Sequence, residues 1–142
     1  MAGSSMTFSY DDGADYAGER NSIRKVIVDW VSDDSTGAVS GTSAKIVGTL
    51  VKAVTDPGTA APTDDYDITI TDEEGIDVLT NVQSSLANRD TANSEEVYFL
   101  VKDAAGTPLA QSVHPVVCDK LTFAVANAGN SKTGQIQLYY RP

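Results

Sequence analysis

The sequence predicts an all-β fold, an antiparallel β-sandwich of the Ig-like or jelly-roll-like kind preceded by an extended N-terminal arm. Three observations predict it. Runs alternating apolar and polar residues recur from Val26 to Tyr140. Clusters of Gly, Pro, Asn and Asp interrupt them every 8 to 12 residues or so, the usual strand spacing of a two-sheet domain. No apolar stripe of helical period is sustained, so nothing is available to cross between parallel strands. A chain of 142 residues buries roughly 68% of its unfolded surface, enough for one core without metals or disulfides.

Residues 1–21, MAGSSMTFSYDDGADYAGERN, mix Gly, Ser, Ala and four acidic residues with scattered aromatics and follow neither period. They read as an arm ahead of a single domain at 22–142. Phe8, Tyr10 and Tyr16 are its candidate partner-binding residues, because a purely solvated tail does not need three aromatics. In KVIVDWV, Val26, Val28 and Trp30 share one face and Lys25, Ile27, Asp29 and Val31 the other. This is the first core strand, with Trp30 as a packing residue.

SDDSTGAVSGTSA reads as a loop by composition, and KIVGTLVKAV as a longer strand with Ile46, Gly48, Leu50, Lys52 and Val54 on one face. TDPGTAAPTDD, with two prolines, a glycine and three aspartates, reads as an extended connection. YDITITDEEGIDVL alternates on both sides of DEEG and predicts a β-hairpin over 66–79. Residues 80–95 are irregular, with a helical turn conceivable only around Val82–Ala87. EVYFLVKD, GTPLAQSV and HPVVC read as short strands, and KLTFAVANAGNSKTGQIQLYY predicts a second hairpin over 120–140. The total is seven to nine strands, and their uneven lengths favour a sandwich over a closed barrel.

Reactive groups are sparse. Cys118 is the single cysteine, which rules out an intrachain disulfide or a multi-thiolate metal site, and within VVCD it reads as a small buried hydrophobe. The single histidine, His114, precedes Pro115 and reads as structural. On one strand it lies too far from Cys118 for a direct hydrogen bond. The acidic run from Asp64 to Asp77 lacks the spacing of a calcium loop and reads as solvated turns, and no glycine loop has a nucleotide-binding pattern. No catalytic residue, cofactor or metal ligand is assigned, and an enzyme is not expected. The net charge of −10 argues against nucleic acid, whose affinity comes from Lys and Arg. Nor does any stretch approach the ~20 apolar residues that span a bilayer, or follow the pattern of an export signal.

Four strings taken together, VSDDSTGAVSG, VTDPGTAAPTDDYDITITDEEGIDVL, NRDTANSEE and KLTFAVANAGNSKTGQIQLYY, resemble small virion structural proteins of tailed bacteriophages and prophages. The resemblance covers most of residues 31–140. It implies a particle component: a capsid decoration protein that stabilises the major capsid protein lattice from outside, its arm reaching over neighbouring subunits and its copies clustering as homo-oligomers, trimers foremost. An acidic protein suits the outer surface of a head rather than packaged DNA. A neck, collar or tail accessory is the alternative within the same particle. A host-surface or carbohydrate-binding module is the alternative outside it, although the loops SDDSTGAVSG and NAGNSKTG contain no aromatic residue.

Overall fold

The computed structural model describes residues 3–11, 23–78, 89–98 and 115–142. Every regular element among them is a strand: β1 (Ser5–Asp11), β2 (Arg24–Val31), β3 (Val39–Pro57), β4 (Asp67–Thr71), β5 (Glu95–Tyr98), β6 (Val116–Ala126) and β7 (Thr133–Arg141). They form one antiparallel sheet in the order β1-β2-β7-β3-β6-β4, with β5 also on β3. The fold is an all-β sandwich, as the alternation and turn spacing predict.

The sandwich arises because β3 serves both layers. Its first half pairs with β6, from Val39 opposite Val125 to Thr49 opposite Val116. Its second half pairs with β7, up to Pro57 opposite Gly134, and with β5 on its other side. A straight strand of this length runs roughly 60 Å. Yet the connection from Ala126 to Thr133, which reaches roughly 25 Å at most, touches both ends of β3: Ala128 N donates to Gly37 O at 3.1 Å and Gly58 N to Thr133 O at 2.9 Å. β3 must therefore bend, and the sheet folds over. Phe8 of β1 meets Phe123 of β6 edge-on at 5.7 Å, and Trp30 of β2 meets Tyr66 at 5.8 Å.

The bend has a local cause. Two register shifts interrupt β3, at Thr42/Lys45 and Leu50/Lys52, each with an extra residue on β3. Between them Gly48 takes a φ of 149°, where a Cβ would collide with the Arg141 carbonyl. The second bulge corrects the predicted face. Ile46 and Leu50 are buried as expected, but beyond Val51 the inward residues are Ala53 and Thr55, and Lys52 and Val54 are not among the buried residues. At the first bulge the buried Ser43 hydroxyl accepts the Leu121 N–H at 3.2 Å and donates to Ala44 O at 2.7 Å.

Further corrections concern element identity. Residues 5–11, expected within the arm, form β1, with Phe8 opposite Val28 and Met6 opposite Trp30. Both side chains pack against the core, and Gly41 of β3 leaves room for them. Residues 39–44, expected as loop, are the start of β3. The predicted hairpin over 120–140 has the right strands but not the pairing, since β3 lies between β6 and β7 and NAGNSKTG arches from one layer to the other. The hairpin over 66–79 turns where expected, with Asp72 Oδ1 accepting the Glu74 and Ile76 N–H groups. Its returning arm is a single bridge, Asp77 to Thr71, while the full ladder of β4 is with β6. The possible helical turn at Val82–Ala87, GTPLAQSV and His114 lie outside the described residues.

Trp30, Tyr66 and Phe123 are the largest buried side chains, surrounded by Val26, Val28, Ile46, Leu50, Ile70, Leu121, Ile136 and Leu138. Cys118 is exposed, contrary to expectation, because β6 turns Val117 inward and Cys118 outward.

Candidate functional site

The most organised polar surface among the described residues is the outward face of β2, β7, β3 and β5. Alternation sets its composition. Turning Val26, Val28 and Trp30 inward leaves Lys25, Ile27 and Asp29 outward, and pairing places Tyr139, Gln137 and Gln135 beside them. The β3 bulge brings Lys52 opposite Tyr139 and Val54 opposite Gln137. β5 adds Tyr98 opposite Lys52 and Glu96 opposite Val54.

These side chains hold one another. Lys25 and Lys52, from the strands flanking β7, lie 5.5 and 4.8 Å from the Tyr139 ring centroid. Lys52 is also 5.6 Å from the Tyr98 ring and bonds to Glu96. That hydrogen bond raises the Lys52 pKa above its ordinary value and lowers that of Glu96, so both stay charged at neutral pH. Below them runs a chain of hydrogen bonds: the Tyr139 hydroxyl donates to Gln137 at 3.0 Å, Gln137 to Gln135 at 2.7 Å, and Gln135 to Asp29 at 2.8 Å. With its rotamers tied in this way, the face loses little side-chain entropy on meeting a partner. Tyr98, 59% exposed at its margin, is its most accessible aromatic.

The predicted arm residues do not converge on this face. Phe8 is spent on the core, and the Tyr10 hydroxyl accepts the Ala44 N–H at 2.7 Å, fastening the first β3 bulge. Tyr16 lies outside the described residues. Nor does the acidic run form a metal cage. Among the described residues no three His, Cys, Asp or Glu side chains converge, and Asp72, Glu73 and Asp67 accept hydrogen bonds from turn amides, the Lys120 N–H and the Asn127 side chain.

An open groove of about 390 Å³ lies between β1, β2 and Gly58–Thr59, with the Trp30 indole in its wall. Its lining is hydroxyl-rich, and Asp29 is its only ionisable side chain. Tyr66 lies in the core, and burial pushes its phenol up to about 12, so it remains protonated. Among the described residues no helix is long and apolar enough to cross a membrane.

Sequence reasoning placed Lys25 and Asp29 on the outward face of their strand but did not identify the site. Tyr139, Lys25 and Lys52 are far apart in the chain, and only strand order brings them together. Compared with known proteins, the chain matches no family model and no curated protein.

Proposed function

We propose that this chain is a non-enzymatic structural protein of a tailed-phage virion that decorates the head, its Lys–Tyr–Gln face lying on the major capsid protein lattice from outside. The observation that carries this reading is the face itself. It is broad and internally ordered, a form that suits docking on another folded surface, and it combines tyrosines with basic groups on an otherwise acidic chain. The four strings that resemble virion proteins supply the particle, and the net charge of −10 keeps the protein away from packaged DNA. Many modest contacts repeated over a lattice add up to firm attachment.

Phe8 packs against the core and the Tyr10 hydroxyl holds the first β3 bulge, so this reading puts attachment on the sheet face. A neck or tail location would use the same face and is distinguished by where the protein sits on the particle. A carbohydrate-binding role would draw on Tyr98, the most exposed aromatic ring of this face.

The test is co-sedimentation with particles lacking the protein. Wild type pellets with them, Lys25→Glu/Lys52→Glu does not, and Tyr98→Ala binds about tenfold more weakly or worse. A wild-type protein that stays in the supernatant would defeat the proposal. Glycan-array binding abolished by Tyr98→Ala would put the carbohydrate reading in its place.

A further inference from the structure

The outward face of the other layer carries a different kind of surface. Across the β3–β6 ladder Lys45 stands opposite Lys120, Val47 opposite Cys118, and Thr49 opposite Val116. Like charges directly opposite on neighbouring strands repel, and neither ammonium is in an ion pair among the described residues. Val47 is 53% exposed and Val116 77%, the latter the most exposed large hydrophobic residue described. A chain with 20 acidic and 10 basic residues thus sets two ammonium groups, neither in a salt bridge among the described residues, beside an apolar centre.

The complement of this patch lies next to it. The turn after β4 runs alongside β6, fastened there by the Lys120 N–H, which donates to Glu73 Oε1 at 3.0 Å. It presents Glu73, Glu74 and Ile76, the last 55% exposed. One molecule therefore carries, side by side, a basic apolar patch and an acidic apolar knob. Two such neighbouring and complementary surfaces satisfy each other reciprocally when copies face across a twofold axis, knob on patch in both directions. Closure as a ring of three would instead require patch and knob on different sides of the domain.

We propose that the Lys45–Lys120 face is a self-association surface on which a second copy of this chain docks its Glu73–Ile76 turn, giving a twofold dimer. Net charge does not forbid it. At physiological ionic strength the screening length is about 8 Å, which damps repulsion between whole molecules far more than attraction between groups in contact. The inference does not depend on placement in a virion.

Sedimentation velocity on the full chain tests it. Wild type is expected to be a dimer at high concentration. Lys45→Glu/Lys120→Glu alone and Glu73→Lys/Glu74→Lys alone are expected to be monomers, each with a cooperative thermal melt that shows it folds. Mixed in equal amounts, the two variants again present opposite charges and should recover the dimer. Alkylation of Cys118, within the patch, should slow in proportion to the dimer fraction. A wild-type monomer at all concentrations, a trimer, or a dimer unaffected by both charge reversals would overturn the proposal, as would a mixture of folded variants that stays monomeric.

Discussion

Gly48 stands where β3 leaves one layer for the other, and its backbone conformation is one that a side chain makes costly. With φ at 149° and the Arg141 carbonyl against the position a Cβ would take, Gly48→Ala must strain the bend or push β7 away. The expected loss is about 2 kcal/mol or more, read as a lower urea midpoint. Val47→Ala, one residue earlier but exposed, should stay within about 0.5 kcal/mol. Asp33 works by a different chemistry. Its carboxylate accepts the Ser35 N–H at 2.8 Å, the Ser35 hydroxyl at 2.6 Å and the Thr36 N–H at 3.0 Å, and the bonds from Ser35 chiefly lower its pKa from 3.8 to about 2. A folded pKa below the unfolded one means the contribution is complete above about pH 4 and is lost as pH falls through about 2. The Ser35 and Thr36 amide resonances should therefore titrate together near pH 2. Asp33→Asn should remove that titration, and a midpoint at the ordinary carboxylate value would refute the turn geometry.

β1 shows why some elements cannot be found by pattern alone. Only Met6 and Phe8 turn inward over its length, too few apolar residues to mark a strand, and it becomes one because β2 offers an edge and Gly41 leaves room beneath. Removing residues 1–11 would strip that edge and uncover Phe123, so the truncated protein should melt earlier and aggregate more readily than wild type. Phe8→Ala alone should cost about 1–3 kcal/mol, less than a fully buried phenylalanine, because the ring is only partly covered. An unchanged melting temperature after either change would mean that β1 is the dispensable arm its composition suggests. Where both faces of a strand differ sharply, as in β2, β4, β7 and the half of β6 from Leu121, alternation in the sequence locates strand and core together, and Trp30, Ile70 and Phe123 are buried accordingly. Alternation fails where an inserted residue breaks the parity, which is why Lys52 was expected beside Leu50 and instead faces outward to join Tyr139. The candidate site inherits that failure. Lys25 is placed correctly by its own strand, but its neighbours depend on a bulge and on a strand order that no local pattern encodes.

At the scale of the whole molecule the controlling feature is the position of β7. It pairs with β2 on one side and β3 on the other, joining residues 24–31 to residues 133–141 in the middle of its layer. Until β7 is in place, β2 and β1 have no ladder to the rest of the sheet, and the second half of β3 lacks its longest pairing. The bend in β3 then has nothing to close on, because the arch from Ala126 to Thr133 is what holds its two ends together through Gly37 and Gly58. Since β3 belongs to both layers, the layers should not melt separately, and unfolding should be a single transition with equal calorimetric and van't Hoff enthalpies. Pairings this distant in sequence also place folding in the millisecond-to-second range expected of β-sandwiches. A chain ending at Lys132 retains most of the strands yet should show neither a cooperative melt nor dispersed amide resonances, whereas a chain lacking residues 1–11 should keep both at lower stability. If the chain ending at Lys132 folds while the one lacking β1 does not, then β1 rather than β7 closes the sandwich.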